Sequence, residues 1–453
     1  MTQCNQTTFS FEAHFSRRVE ARFDGQQTTT EGGALLLREV DRKIGLLKRV
    51  AACFTDARAP ERIEHALSEM LAQRIYGLAL GYEDLNDHEE LRNDPLLGML
   101  AGRRDLNTPL AGKSTLNRLE LTPVGSPAAE RYNKISYSAE ALDELLVELF
   151  LEAHPRAPRE IVLDLDATDT PLHGRQEARF FHGYYGHYCY LPLYVFCGDH
   201  LLCARLRPSN IDASAGSLEE VQRIVRQIRA RWPKVKIILR ADSGFCREEL
   251  LAWCENHEVD YLFGFARNQR LRRIIGRAMQ EAQQEHRRTG KSARVFTEFA
   301  YRTKKSWSRA RRVVAKAEQL EGKENPRYLV TSLGKEAWPA QQLYEQLYCA
   351  RGEMENRIKE QLSLFSDRLS TETLRANQLR LYFSSLAYVL LEALRRLGLA
   401  NTEWAEAQAD TIRLKLLKIA AEVRITARRM WIRYSCAYPW QNVFASAYTA
   451  LRC

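Results

Sequence analysis

The chain has 453 residues, of which 45% are hydrophobic and 27% are charged, so it can bury roughly two to four packed units and is not a disordered chain. No run of 18 or more apolar residues is present, which excludes a membrane-spanning helix. Met1–Phe23 lacks the apolar segment of a signal peptide, so we expect a cytoplasmic protein.

The ten cysteines form no C-x-x-C pair and the ten histidines are scattered, which argues against a zinc site and against a disulfide framework. The net charge of +10 favours a polyanionic partner. Residues 267–316 hold 16 Lys or Arg and 3 Asp or Glu, a local excess of 13 positive charges. Val295–Thr303 and Arg311–Ala317 are strand-like, so this stretch is predicted to be folded and to contact nucleic acid rather than to be a merely solvated charge run.

The N-terminal part of the chain is predicted to be helical, because amphipathic patterns cover residues 34–50, 60–75 and 141–152. A shorter helix begins after Gly112, with Ser114 as its cap. This helix is either a DNA-recognition helix that exposes Lys113 and Arg118, or a capped structural helix with no such role.

From Ile161 onward the pattern changes to strands, followed by strands that alternate with helices. This order predicts an α/β layer fold with a mixed sheet. The predicted strands are 161–166, 190–196, 200–206, 235–241, 259–265 and 328–331, and the predicted helices are 217–232, 247–257, 340–362 and 371–397. The tail from Asn401 is predicted to be helical.

Two carboxylates lie on the first predicted strand. Side chains alternate along a strand, so Asp164 and Asp166 share one face while Leu163 and Leu165 occupy the other. Two like charges on an otherwise apolar strand are costly unless a positive group lies between them, and a divalent cation meets that need.

Two further acidic positions are candidates for the same site. Asp242 follows the apolar strand 235–241, where ligand groups gather in open α/β sheets, although it could simply cap the next helix. Tyr348, Arg351 and Glu355 are spaced to share one face of a helix, although Arg351 and Glu355 could be an exposed ion pair. Three carboxylates that hold two hard cations are suited to in-line displacement at phosphorus.

These motifs resemble those of bacterial insertion-sequence transposases with a DDE catalytic domain. Asp166-Ala-Thr168 resembles the Asp-x-Thr of their first core strand, and the segment around Asp242 resembles the element that carries their second Asp. Tyr348, Arg351 and Glu355 match their Tyr-Arg-Glu signature, although Leu362 stands where the signature often has Lys. The segments 173–176 and 183–186 are also similar to this group.

The resemblance implies an RNase H-like mixed-sheet core with a β-rich insertion, flanked by helical regions at both ends. The implied division is a DNA-binding region at 1–153, the first part of the core at 154–266, the basic insertion at 267–336, the rest of the core at 337–398 and a helical end at 399–453. Asp166, Asp242 and Glu355 would hold two Mg²⁺ ions, with Mn²⁺ as a substitute, and Asp164 is the alternative first ligand.

The same resemblance implies the partners and the reaction. Tyr348, Arg351 and Lys359 would contact DNA phosphates. The substrate would be double-stranded DNA, as transposon ends with terminal inverted repeats and as target, and the enzyme would be a homodimer in the synaptic complex, with no membrane partner and no small-molecule cofactor. A nucleoid-associated enzyme that cleaves and joins DNA is expected. The alternatives are a transposase-derived DNA-binding protein and an RNase H-like nuclease without strand transfer.

The basic stretch supplies further candidate DNA contacts. Trp307 lies among basic residues and could stack on a flipped base, although such a Trp more often packs inside a β-rich unit. The basic candidates beside it are Lys304, Lys305, Arg311 and Arg312.

Overall fold

The computed structural model describes residues 8–123 and 131–452. Met1–Thr7, the first part of the segment searched for a signal peptide, lie outside the described residues. Within the described part of the chain, no helix is long and apolar enough to cross a membrane.

The N-terminal region is mostly helical but also contains short strands, so the prediction of an all-helical region is wrong in part. Gly45, at a φ of 63°, splits the predicted helix 34–50 into two. The helices are α1 (Leu35–Ile44), α2 (Leu46–Ala52), α3 (Leu67–Ala79), α4 (His88–Leu91), α5 (Pro95–Leu100), α6 (Lys113–Glu120) and α7 (Ala139–Glu152). The strands are β1 (Phe9–His14), β2 (Arg17–Ala21), β3 (Thr28–Thr29), β4 (Phe54–Asp56) and β5 (Ile135–Tyr137).

The central region contains the strands and helices predicted from Ile161 onward. The predicted strand 190–196 is divided between two strands. The strands are β6 (Glu160–Ala167), β7 (Thr170–Pro171), β8 (Phe180–His182), β9 (His187–Tyr190), β10 (Leu193–Cys197), β11 (His200–Arg205), β12 (Lys236–Ala241) and β13 (Asp260–Phe265). The helices are α8 (Ser217–Arg231) and α9 (Glu248–Asn256).

Five of these strands lie side by side in one mixed sheet, in the order β11-β10-β6-β12-β13, with β11 at one edge. β10 runs antiparallel to both β11 and β6, while β12 runs parallel to both β6 and β13. The α/β class with a mixed sheet, predicted from the sequence, is confirmed.

The basic insertion predicted over residues 267–336 does not consist of strands alone, because two helices precede its strands. It contains α10 (Gln269–Ile274), α11 (Gly276–Thr289), β14 (Ala293–Tyr301), β15 (Arg311–Leu320), β16 (Lys323–Glu324) and β17 (Arg327–Thr331). β17 pairs with β13, and β15 and β14 follow it, so these strands extend the central sheet instead of forming a separate one.

The helix predicted over 340–362 is irregular where the candidate site residues begin. It consists of α12 (Ala340–Gln342), a π-helical turn over Leu343–Tyr348, a 3₁₀ turn over Cys349–Arg351 and α13 (Gly352–Ser363). π-helical turns inside helices are frequently found at functional sites. α14 (Leu374–Leu394) follows and is buried over almost its whole length.

The C-terminal region contains helices and a β-hairpin, so the prediction that it is helical is wrong in part. Its elements are α15 (Ala409–Ile412), β18 (Ala421–Ile425), β19 (Met430–Tyr434) and α16 (Gln441–Arg452). β18 pairs with β3 of the N-terminal region. Apolar residues of α1, α3, α14 and α16 share one core, so both ends of the chain pack around α14. The division into five regions at the predicted boundaries stays a prediction.

Candidate active site

The two faces of β6 have different neighbours. Leu163 and Leu165 pack in the core that contains α8 and α9, whereas Val162 packs with Leu343 and Leu347 on the other side of the sheet. Asp164 and Asp166 alternate with the two leucines and therefore face the segment 343–363. The chain thus brings both carboxylates toward the helical segment that carries Tyr348, Arg351 and Glu355.

Asp164 is neutralised by an arginine of the neighbouring strand. The Nε and Nη2 atoms of Arg240 donate to its two carboxylate oxygens at 2.5 and 2.7 Å, and both side chains are only 6% exposed. Burial raises the pKa of Asp164, and Arg240 opposes this shift. Arg240 thus compensates the charge of Asp164 in this conformation, and the role of Asp164 as the alternative first ligand stays a prediction.

Asp166 is joined to Glu355 through Arg351. Arg351 donates from Nη1 to Oδ2 of Asp166 and from Nη2 to Oε1 of Glu355, each at 2.9 Å. The pair of Arg351 and Glu355 is the i, i+4 pair expected from the spacing, but it is not merely a surface pair, because Arg351 also binds β6. Two arginines, Arg240 and Arg351, supply the positive charge that was expected from a cation between Asp164 and Asp166.

Asp242 lies beside Asp166 and also caps a turn. β6 and β12 run parallel, and Leu165 of β6 stands opposite Ala241 of β12. Asp166 and Asp242 are the next residues after this pair in the two chain segments, so they lie side by side. The Oδ1 atom of Asp242 accepts a hydrogen bond from the Gly244 N–H at 2.8 Å, so the predicted capping role is present. Capping uses one oxygen and leaves the other free to act elsewhere.

Burial raises the pKa of Asp166 to about 6, with Arg351 opposing this shift and Asp242 adding to it. The same neighbours act on Tyr348. Burial raises the pKa of its hydroxyl, Arg351 opposes this shift and Asp242 adds to it. Asp166, Asp242, Tyr348 and Arg351 therefore interact electrostatically as one cluster. Perturbed carboxylates of this kind, placed at the carboxyl ends of strands, are typical of functional sites.

Gly264 allows the elements of this cluster to approach each other. A Cβ atom at this position of β13 would lie 2.8 Å from the Ser243 nitrogen and 2.8 Å from the Tyr348 hydroxyl. Only glycine fits between the turn that follows Asp242 and the ring of Tyr348. Gly264 and Arg240 were not identified from the sequence, although an arginine within the apolar strand 235–241 signals a buried ion pair.

The donor set of the cluster fits a hard divalent cation, because Asp166, Asp242 and Glu355 offer only carboxylate oxygens. Among the described residues, no three His, Cys, Asp or Glu side chains stand close enough together to hold a metal ion. Arg351 lies between Asp166 and Glu355 in this conformation. The residues therefore fit Mg²⁺ in type, and binding requires Arg351 to give up at least one of its two carboxylate contacts.

The remaining phosphate-contact candidate, Lys359, is exposed on α13, the helix that carries Glu355. Lys113 and Arg118 are exposed on α6. The N-cap of α6 is Gly112 and not Ser114, and its first backbone N–H, that of Lys113, donates to Oε1 of Glu89 at 2.8 Å. The structure thus leaves both alternatives for this helix open.

The basic candidates in the insertion separate into two kinds. Lys304 and Lys305 are exposed in the loop between β14 and β15. Arg311 is 4% exposed and binds Glu248 and Glu255, and Arg312 binds Glu298. Arg311 and Arg312 are therefore committed to structural ion pairs, which corrects their assignment as DNA contacts.

Trp307 belongs to the interior of the insertion. It is 5% exposed, stacks on Phe265 with ring centroids 4.9 Å apart, and meets Tyr301 edge to face. The predicted stacking on a flipped base is not supported, because neither ring face is accessible. The packing alternative describes this residue.

A family model described as "Transposase DDE domain group 1" matches residues 11–453. No curated protein matches the chain. Among solved structures, the chain is similar to a piggyBac transposase synaptic complex with hairpin DNA, at 10% identity and a TM-score of 0.43, covering 84% of this chain and 80% of that one. Because the family model spans nearly the whole sequence, the chain belongs to the transposase DDE domain group 1 family.

Proposed function

We propose that this family member is an insertion-sequence transposase that binds terminal inverted repeats and carries out Mg²⁺-dependent DNA cleavage and strand transfer. The observation that carries the proposal is the double contact of Arg351 with Asp166 and Glu355 at 2.9 Å each. This contact joins β6, the strand of Asp166, to the helical segment that carries the Tyr-Arg-Glu motif. Asp242 directly follows β12, the strand parallel to β6. The strand order β11-β10-β6-β12-β13 supports an RNase H-like core.

In this proposal Asp166, Asp242 and Glu355 hold two Mg²⁺ ions, for which Mn²⁺ can substitute. When bound, the ions activate the attacking oxygen and stabilise the leaving oxygen of an in-line displacement at phosphorus. Glu355 is half exposed, at 52% of its side chain, so it has room to move toward the two aspartates. Arg351 favours the charged form of Asp166 by opposing the rise in pKa that burial causes.

The positive residues of the site orient the DNA. Arg351, once displaced from one carboxylate, presents a planar pair of N–H donors that matches two phosphate oxygens. The Tyr348 hydroxyl, packed next to Gly264 and close to Asp242, is placed to donate to the same phosphate. Lys359 extends this phosphate contact along α13.

The exposed basic residues outside the site bind DNA through its backbone. Lys304 and Lys305 contact phosphates of the transposon end, and the exposed side of α6, with Lys113 and Arg118, contacts the inverted repeat. Two copies of the chain pair the two ends before the 3′-hydroxyl attacks the target duplex. These DNA contacts and the homodimer are expectations that follow from the proposed activity.

The test is cleavage and strand transfer on DNA that carries the inverted repeats flanking the gene, with Mg²⁺ and separately with Mn²⁺. Asp242→Asn keeps an oxygen that can accept from the Gly244 N–H, and Glu355→Gln keeps an acceptor for Arg351, so both remove charge with little change in shape. Glu353→Gln is the matched control, because Glu353 is an exposed glutamate in the first turn of the same helix.

We expect the first two variants to bind DNA but neither to cleave nor to join it, while Glu353→Gln behaves as wild type. Retained cleavage in both Asp242→Asn and Glu355→Gln would refute the assigned site. A wild-type protein that cleaves but never joins ends supports the RNase H-like nuclease, and one that binds without cleaving supports the DNA-binding alternative.

A further inference from the structure

An aromatic hairpin that no step of the proposed reaction uses lies next to the candidate active site. β8 and β9 are joined by the turn Gly183-Tyr-Tyr-Gly186, and the Gly186 N–H closes it on the His182 carbonyl at 2.8 Å. Phe181 stands directly opposite Tyr188, with ring centroids 5.6 Å apart. Tyr184 meets Tyr185 at the tip, with centroids 5.0 Å apart. The hairpin thus presents a set of neighbouring rings.

These rings are exposed to a degree that folding does not explain. Tyr184 is 87% exposed, Phe181 57% and Tyr188 43%. Single exposed aromatic residues are common, but several together on one hairpin indicate a binding surface. Trp307, the aromatic residue for which a base-stacking role was expected, is buried, so this hairpin is the better candidate for such a role.

The hairpin is held firmly beside the carboxylates. His187 donates from Nε2 to Oδ2 of Asp169 at 2.7 Å, and Asp169 closely follows Asp166 in the chain. β9 also pairs with β7, the strand that begins directly after Asp169. Burial raises the pKa of Tyr185 to about 12, and the charges of Asp169 and Asp166 add to this shift.

The charge on this segment suits a nucleic acid. The Arg179 guanidinium lies 3.8 Å from the centre of the Tyr188 ring, and Arg175 is exposed. Glu177 lies between them in the chain and its Oε2 accepts from the Leu374 N–H at 2.8 Å, so the two arginines leave a net charge of +1 over residues 175–179. The hairpin therefore offers rings and positive charge together, which is the combination that binds unpaired bases and their phosphates.

We propose that residues 179–188 form a stacking platform for an unpaired base of the transposon-end DNA, next to the phosphate that is cleaved. The inference rests on the proposed function and adds a DNA-binding site to it. The occupant is an unpaired base because bases inside a duplex cover each other's faces, and an enzyme reaches them only after they leave the stack. Recognition is by the face of the base, so any of the four bases is accepted.

The test measures the affinity of the full-length protein for end DNA without divalent metal, so that no cleavage occurs. The probe is the flanking inverted-repeat duplex with one unpaired base near the cleavage position, compared with the same DNA carrying an abasic site there. The unpaired position is moved along both strands across the junction between the element and its flank. A random duplex of equal length reports unspecific binding.

We expect wild type to bind the DNA with the unpaired base at least about fivefold more tightly than the abasic DNA at one or more positions, which corresponds to the lower end of base–aromatic stacking. Tyr184→Ala and Phe181→Ala should each reduce this ratio, and the double variant should abolish it. Tyr184→Trp should keep it. Tyr448→Ala is the matched control, because Tyr448 is 49% exposed on α16, a different element.

A wild-type ratio near one at every position, or a ratio that persists in the double variant, overturns the platform while specific binding and cleavage still support a transposase. The oligomeric state of the double variant is measured in parallel. If the variant loses dimerisation and keeps the ratio, the hairpin contacts a second copy and the platform is wrong. If wild type binds end DNA no better than the random duplex, the proposed function and the platform both fail.

Discussion

Arg240 binds both carboxylate oxygens of Asp164 and, through its third nitrogen, donates to the backbone carbonyl of Leu347. One buried side chain thereby connects β6, β12 and the residue directly before Tyr348. The ion pair and the hydrogen bond to Leu347 together connect the strand that carries Asp166 to the segment that carries Arg351. We therefore expect Asp164 and Arg240 to position the site rather than to bind metal.

Replacing Asp164 by Asn should destabilise the protein, because Arg240 is 6% exposed and Asp164 is its carboxylate partner among the described residues. The case of Asp166 differs, because Arg351 keeps Glu355 as a partner when Asp166 is neutralised. Loss of one member of a buried pair costs about 3 to 5 kcal/mol. Urea unfolding monitored by tryptophan fluorescence measures the loss. The double variant Asp164→Leu with Arg240→Met should recover most of it, since no buried charge remains. Unchanged stability of Asp164→Asn together with lost Mn²⁺ binding would instead identify Asp164 as a ligand.

The raised pKa of Asp166 predicts how the stability of the metal-free protein depends on pH. Its folded pKa is about 6, above the value of about 3.9 for an unfolded Asp. Protonation of Asp166 therefore raises the free energy of unfolding. This contribution is complete below about pH 4 and is lost as the pH rises through 6. Asp166→Asn should raise the free energy of unfolding by about 2 to 3 kcal/mol at pH 7.5 and by little at pH 4.

Denaturant unfolding in EDTA at the two pH values measures this difference. Glu353→Gln is again the control, because an exposed glutamate should change the free energy of unfolding at neither pH. An Asp166→Asn variant that is less stable than wild type at pH 7.5 would mean that the contact with Arg351 outweighs the burial of the charge.

Binding of a divalent metal ion should offset the free energy that the folded protein loses by burying the charged Asp166. Mn²⁺ or Mg²⁺ that binds only the folded protein stabilises it in proportion to RT ln(1 + [L]/Kd), so a hundredfold excess over Kd gives about 2.7 kcal/mol. We expect thermal unfolding to shift upward with metal in wild type and to stay unchanged in Asp166→Asn. An equal shift in both proteins would show that the metal binds elsewhere.

The sequence was sufficient to predict the central strands and the faces of β6. Strands 161–166, 235–241 and 259–265 are apolar runs with clear ends, and they appear as β6, β12 and β13 within one residue at most boundaries. Alternation placed Asp164 and Asp166 on one face correctly. The family motifs singled out Asp166 and Glu355, which Arg351 bridges, and their role as metal ligands together with Asp242 stays a prediction.

What could not be predicted depends on partners that are distant in the chain. The sequence does not indicate that Arg311 is paired, because its partners Glu255 and Glu248 lie 56 and 63 residues away in the chain. The strands of the C-terminal region could not be predicted, because short strands are stabilised by pairing and packing more than by local propensity. β18, for example, pairs with β3, which lies at the other end of the chain. The double contact of Arg351 likewise depends on β6 and is invisible in the spacing of its own helix.

Gly264→Ala should impair the site without removing any functional group. The added methyl group would lie 2.8 Å from both the Ser243 nitrogen and the Tyr348 hydroxyl, so the Asp242 turn and Tyr348 must separate. We expect a loss of stability of about 1 to 3 kcal/mol and a cleavage rate lower by roughly 100-fold. Gly276→Ala is the control, since a Cβ there meets nothing within 4 Å. Normal cleavage by Gly264→Ala would show that this close approach does not position Asp242 or Tyr348.

The two kinds of basic residue in the insertion should respond differently to substitution. Lys304 and Lys305 are exposed, so replacing both by Ala should leave stability unchanged and weaken DNA binding, with the slope of log K against log salt reduced by about 2 if each contacts one phosphate. Lys48→Ala, an exposed lysine on α2, should change neither quantity.

Arg311→Ala should lower the free energy of unfolding by about 3 kcal/mol, because Glu248 and Glu255 lose their shared partner, and should leave the salt slope of the folded protein unchanged. A reduced slope for Arg311→Ala at wild-type stability would show that Arg311 leaves its carboxylates to bind DNA, and the surface assigned here to Lys304 and Lys305 would have to be extended across β15.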